Sequence, residues 1–336
     1  MASVNATRPV NFGPSAFLAP EFMTQGNRWF VRPRTGSDGR DGKTMESAFA
    51  TLQKAHSVAV EDQNDVIFHV AEGNGAGETT ARVLTADAAA FAWNKDLVHL
   101  IGINSGSPFS QRSRIAFEDD FTAADNLFTV SANGCLFKDI SFFAGVADAN
   151  PTGCLLVSGH RNVFKNCHIA GIGHNDNDIA GAYSLKLNAS TCQENLFDDC
   201  TIGLDTIARG TGANSGLLCD GGVARNEFRD CRFVAFLEHA TNHVHVRLAD
   251  ATAIDRTLSF VRCIFRYFSA NYATAGTGVM KLTADLTQGY IEVIDSVAYS
   301  DAHGTTIKWD VDDRDKILLF NSPTPAADTA GVARAV

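Results

Sequence analysis

An eight-residue phrase recurs along the chain. It reads NVFKNCHI from Asn162, NLFDDCTI from Asn195, NEFRDCRF from Asn226 and LSFVRCIF from Leu258. Aligned on its first Phe, the set is Phe137, Phe164, Phe197, Phe228 and Phe260, with Val293 in a weaker copy, at spacings of 27, 33, 31, 32 and 33 residues. Three places later stand Ile140, Cys167, Cys200, Cys231, Cys263 and Ser296; two further on come Phe142, Ile169, Ile202, Phe233, Phe265 and Ala298. A short apolar segment precedes each phrase: LFTVS from Leu127, CLLVS from Cys154, YSLKL from Tyr183, GLLCD from Gly216, VHVRL from Val244 and VMKLT from Val279. Each is too short for a helix and is bounded by Gly, Asn, Asp or Ser, which marks strands and turns.

A repeat of about 30 residues made only of short strands predicts an all-β solenoid, a single-stranded right-handed parallel β-helix with two recognisable strands per coil and room for a third. Successive coils then lie ~4.8 Å apart, so residues at one register stack along the axis. Phe137, Phe164, Phe197, Phe228 and Phe260 are expected to form one inward column. Cys167, Cys200, Cys231 and Cys263 form a second, read as reduced thiols packing as small hydrophobes. Asn162, Asn195 and Asn226, two places ahead of the Phe, are assigned to a bend, where Asn tolerates positive φ and bonds its own backbone.

Four segments follow from this reading. Residues 1–26 form an extended arm with Pro9, Pro14 and Pro20 and the apolar Phe12, Phe17, Leu18, Phe22 and Met23. The arm is either a loose terminus or one that orders on a partner, with those five residues as the contact. Residues 27–65 form a cap, with a strand at Trp29–Val31 and a helix from about Ser47, its N-cap, to Ala59, covering the open end of the stack. Residues 66–321 form the β-helix, and 322–336 a tail.

Composition excludes several classes. A net charge of −10 is wrong for a nucleic-acid or anionic-membrane surface. Eight cysteines in 336 residues, without a CxxC pair, give neither a disulfide scaffold nor a zinc site, so no metal or cofactor is expected. The N-terminus lacks a signal-peptide pattern and no run is long enough to span a membrane, which points to synthesis in a cytoplasm.

Candidate chemistry is sparse. SDGRDG at Ser37–Gly42 lacks the spacing of a calcium loop and reads as a turn. Glu118 and Asp119 head an acidic run that could supply paired carboxylates, although neighbouring strand residues point to opposite faces. His174, Asp176 and Asp178 lie in the longest insertion, read as a polar loop with acid, base or weak metal-ligand chemistry as the alternative. His243 and His245 share a strand face and are assigned to a surface ladder or subunit contact.

The segment FVRPRTGSDGRDGKTMESAFATLQKAHSVA…DVIFHVAEG, from Trp29 to about Gly73, resembles the opening of the pectate-lyase-like right-handed β-helix superfamily, and the repeats extend that resemblance to about Asn321. The superfamily includes lyases, hydrolases, tailspikes and non-enzymatic virion proteins, so the resemblance implies a fold more than a function. LVHLIGINSGSPFSQRSRI, Leu97–Ile115, is similar to a stretch in small β-helical proteins of tailed phages. That resemblance implies a capsid decoration or cement protein on the head surface, homotrimeric and bound to the major capsid protein, without a catalytic residue. The alternative it leaves is a tailspike-like polysaccharide depolymerase or lyase, for which Glu118, Asp119, Asp176 and Asp178 are the candidates. The acidic calcium ladder of the superfamily's lyases is not visible at repeat spacing.

Overall fold

A computed structural model describes residues 26–72, 90–104, 109, 113–117, 125–239, 241–269, 278–301, 307–311 and 316–323. The strands form three parallel sheets, each rung pairing with the next in register. Sheet A has ten strands, from Arg28–Val31 to Ile317–Phe320; sheet B has eight, from Phe91–Trp93 to Lys308–Asp310; sheet C has seven, from Arg114–Ala116 to Val297–Ser300. One coil runs B, A, C. Its third strand, in sheet C, fills the space left by the two legible in sequence. The chain is a parallel β-helix.

The expected columns are present. Phe137, Phe164, Phe197, Phe228 and Phe260 are fully buried, with successive ring centroids 4.7, 4.6, 4.6 and 5.2 Å apart and nearly parallel planes. In-register pairing places each ring over the last, for instance Phe164 over Phe137 and under Phe197. Each such pair contributes about 0.5–1.5 kcal/mol beyond the area it removes from water.

The thiol column has a polar role that volume alone did not suggest. All eight cysteines are free and buried. Each thiol in the column donates to the carbonyl of the Phe one coil back: Cys167 Sγ to Phe137 O (3.4 Å), Cys200 to Phe164 (3.3 Å), Cys231 to Phe197 (3.2 Å) and Cys263 to Phe228 (3.3 Å). Ser296 and Ser322 continue the series toward Phe260 O (3.3 Å) and Val293 O (3.1 Å). Burial pushes the Cys167 and Cys231 thiols up, which keeps them protonated and able to donate.

The sharp bend lies elsewhere than Asn162, Asn195 and Asn226. Positive φ falls on the residue before each Asn, at Arg161 (56°), Glu194 (57°) and Arg225 (52°), and on the residue before each column thiol or hydroxyl, Asn166, Asp199, Asp230, Arg262, Asp295 and Asn321, at 47–53°. The asparagines instead bond across coils. Asn162, Asn195 and Asn226 each turn Oδ1 to the next-lower backbone amide, Cys135 N (2.9 Å), Asn162 N (2.9 Å) and Asn195 N (3.0 Å), while Nδ2 donates to Ala132 O, Gly159 O and Cys192 O. A corner breaks the strand ladder and would leave buried amides and carbonyls unpaired; the carboxamide satisfies one of each.

The cap helix is shorter than expected, Leu52–Val58, and Thr51 is its N-cap, its hydroxyl accepting from Lys54 N. The carboxylate of Asp38 accepts from the amides of Ala50 and Thr51 and holds that stretch extended, while Phe49 bridges to Val31 instead of joining the helix. Ser47 donates to Asp41. SDGRDG is thus a structural turn, and Gly42 (φ 67°) lies where a Cβ would strike the Phe49 ring.

These contacts generate two expectations, measured by urea unfolding. Cys200→Ser retains a donor and should cost under about 1 kcal/mol, whereas Cys200→Val orphans Phe164 O and should cost about 1–3 kcal/mol. Asn195→Leu should cost about 3 kcal/mol or more, because several buried backbone groups lose partners together.

Candidate functional site

Polar groups converge at the corner where sheet C hands over to sheet B. The sheet C strands Thr201–Arg209, Arg232–Leu237 and Ile264–Ser269 run longer than their predecessors. Their extra residues face the first residues of the sheet B strands Asn214–Asp220 and His243–Leu248, and the His245 ring packs on Tyr267 (4.0 Å, near-parallel) and against Phe233 and Phe265. The corner is a second interior, and it is polar.

Asp178 sits at its centre, 4% exposed. Its Oδ2 accepts from Gly210 N (2.8 Å) and Thr211 N (2.7 Å), and its Oδ1 from Asn214 Nδ2. Asn214 Oδ1 in turn lies 2.6 Å from His243 Nδ1, so the chain of contacts runs Asp178, Asn214, His243. Arg209, 1% exposed, donates from its guanidinium to Ile172 O (2.8 Å) and Gly171 O (3.4 Å); burial pulls it down to about 10, against the attraction of Asp178, so it stays charged.

Both histidines are neutral. Burial, reinforced by His245, Arg209 and Arg247, holds His243 well below the usual histidine range, and burial pulls His245 down to about 3. His243 Nε2 and both ring nitrogens of His245 are buried without a hydrogen-bond partner. His243 and His245 are therefore interior residues and not a surface ladder. The segments HNDND and HVHV, far apart in sequence, meet in one cluster through Asn214.

The rest of HNDND is divided. Asn175–Asn177 form one 3-10 turn with His174 as its cap, its Nδ1 accepting from Asp176 N. Asp176 is exposed, with Oδ2 3.6 Å from His174 Nδ1, while Asp178 is inside and saturated. The segment is an ordered turn anchored by its last residue, so the pair Asp176 and Asp178 does not face a common substrate. Glu118 and Asp119, and Phe12, Phe17, Leu18, Phe22 and Met23 of the arm, lie outside the described residues. Among the described residues no group of three His, Cys, Asp or Glu side chains could hold a metal ion.

The flank is laddered with ion pairs. Glu194 bridges Arg161 (2.7 Å) and Arg225 (2.7 Å) across three coils; Asp199 pairs with Arg232 (2.9 Å), Asp230 with Arg262 (2.7 Å), Asp198 with Lys165 (3.5 Å) and Glu227 with Arg229 (2.6 Å). Hydrogen bonds from Arg161 and Arg225 hold Glu194 below the usual carboxylate range, and one from Arg262 does the same to Asp230. Carboxylates so held are permanent anions with their oxygens engaged. A general acid needs the opposite shift.

No family model matches the chain, and no curated protein does. Among solved structures, the crystal structure of pectate lyase Pel9A aligns with a TM-score of 0.50 at 13% identity over 82% of this chain. This chain spans 64% of that lyase's length. A pectin methylesterase bound to a hexasaccharide (TM-score 0.49, 14% identity, 91% of each chain) and a rhamnogalacturonan lyase (TM-score 0.38, 12% identity, 81% of this chain and 68% of that one) align more loosely. What the chain shares with pectate lyase is the coil. The fold is a parallel β-helix, as in that lyase.

The buried histidines set a pH dependence. Their folded pKa values lie below the unfolded value of ~6.5, with His56, His69 and His168 at about 4 and His245 at about 3, so protonation favours the unfolded chain. Stability is complete above pH ~6.5 and falls as pH drops below it, by up to about 1.4 kcal/mol per pH unit for each fully buried ring. Thermal melting between pH 7 and 4 should show this slope, and His245→Phe should reduce it.

Proposed function

We propose that this chain is a structural protein of a tailed-phage virion, a capsid decoration or cement subunit. It would be made in the host cytoplasm and act as a homotrimer on the head surface, gripping neighbouring major capsid proteins. The observation that supports a holding role is the engagement of the flank: Glu194, Asp198, Asp199, Glu227 and Asp230, on sheet A and its two corners, are paired with arginine or lysine of an adjacent coil or strand position. Coils tied by stacked rings, thiols, carboxamides and ion pairs resist shear along the axis, as a clamp under internal genome pressure requires. The phage-like stretch Leu97–Ile115 and the apolar arm support the virion assignment.

The alternative, cleavage of a host surface glycan, loses Asp178 to its three internal donors and keeps Asp176 beside His174 as its accessible group. Locating the protein in purified particles by immunogold labelling separates the two readings: heads should be decorated, and labelling confined to tail tips would sink the proposal. Removing residues 1–26 should abolish capsid attachment while leaving circular dichroism unchanged. Incubation with host capsule or lipopolysaccharide should shorten no chains; shortening abolished by Asp176→Ala would establish the enzyme instead.

A further inference from the structure

The column of stacked rings is closed at one end and open at the other. Before Phe137 it continues through Leu100 and Ile67 to Trp29 in the first strand, where the Phe49 ring stacks on Trp29 at 6.1 Å and Trp29 is buried. After Phe260 it continues through Val293 to Leu319 in the last strand of sheet A, Ile317–Phe320. Val293 is fully buried, whereas Leu319, one rung on at the same inward register, is 38% exposed. No described strand lies beyond it. Apart from Val60 and Phe109, the exposed large apolar side chains among the described residues are Ile264, Tyr290, Val297, Leu318, Leu319 and Phe320, all in the last three coils. An apolar end with an unpaired strand edge needs a cover, which Phe49 and the cap helix provide at the first rung.

The sequence itself stops the stack at this point. In each coil the residue after the column thiol, hydroxyl or Ile140 opens the sheet C strand, and its amide donates to the column residue one coil back: His168 N to Ile140 O, Thr201 N to Cys167 O, Arg232 N to Cys200 O, Ile264 N to Cys231 O and Val297 N to Cys263 O. After Ser322 that place is taken by Pro323, which has no amide hydrogen, and Pro325 stands two residues on. A ladder cannot continue through these positions. The chain is instead fixed at the rim of the open end, where Trp309 donates from Nε1 to Pro323 O (3.0 Å). Trp309 is itself buried, edge-on to Phe265 at 5.7 Å.

We propose that residues 324–336 turn back over the last coil and cover Leu319 and the open edge of Ile317–Phe320. Two observations favour this segment over other occupants. Its composition suits a cover: it holds five Ala and two Val, and none of the Glu, Lys, Ser and Gln that keep a tail in solvent. Small side chains let its backbone approach the strand edge closely. Its attachment favours it too, because Pro323 already lies at the rim, and a short tether gives an effective concentration of about millimolar. The apolar arm leaves the stack at the first rung of sheet A, ten strands and about 40 Å away along the axis.

The test is hydrogen exchange on the isolated chain, so its outcome is separate from that of the particle experiments. In the full chain the amides at 317–320 should be protected, and in a chain ending at Pro323 they should exchange about tenfold faster or more, with the rungs from Phe137 to Phe260 unchanged. Val332→Asp with Val336→Asp in the full chain should have the same effect with an unchanged circular dichroism spectrum, and it decides the matter if the shortened chain does not fold. Rapid exchange at 317–320 in the full chain, or protection there that neither change lowers, overturns the proposal. Protection that rises with protein concentration also overturns it, by showing a second copy on this end. So does protection lost only when residues 1–25 are removed, which would show the arm there.

Discussion

Every part of the molecule depends on one constraint: parallel strands in register put each residue above its counterpart in the coil below. Backbone bonding at ~4.8 Å spacing enforces this, and side chains then experience near-identical neighbours along the axis. A ring finds a ring at 4.6 Å, an asparagine finds an asparagine, and a thiol finds the same carbonyl in every turn. A single unlike side chain inside a column disturbs the coils above and below it. Selection on one coil therefore becomes selection on the phrase.

The corners are where such a stack is weakest. A strand satisfies its amides and carbonyls with its neighbours; a corner does not, and it is buried on its inner side. This chain meets the problem with polar side chains turned inward, carboxamides where sheet B passes to A and thiols or hydroxyls where A passes to C. Asp or Asn in left-handed backbone makes the second turn possible, and Arg262 is the exception, held there with its side chain on Asp230. At the third corner the chain inserts residues instead, and the enlarged space fills with Asp178, Arg209, Asn214, His243 and His245. That cluster is buried, and the carboxylate of Asp178 ties residues of successive coils together through its bonds to Gly210, Thr211 and Asn214.

The flank and the sheet C face divide the outer surface into two kinds. Along sheet A and its corners, Glu194, Asp198, Asp199 and Asp230 pair with Arg or Lys of an adjacent coil. Sheet C lacks the acids to do so and presents rings and the stacked guanidinium of Arg266.

The recurring FxxC phrase was enough by itself to establish the β-helix, its columns and most of its strands, because in-register stacking makes each coil repeat the same inward shape and so writes three-dimensional periodicity directly into one dimension. Cap length and corner chemistry were not legible, since Phe49 leaves the helix for a bridge to Val31, and the asparagines bond to amides 27–33 residues away. The meeting of Asp178 with His243, and the separation of Asp178 from Asp176, belong to tertiary structure alone. An inserted loop follows no register, so only the closing of the coil determines which of its side chains turn inward and what they meet there.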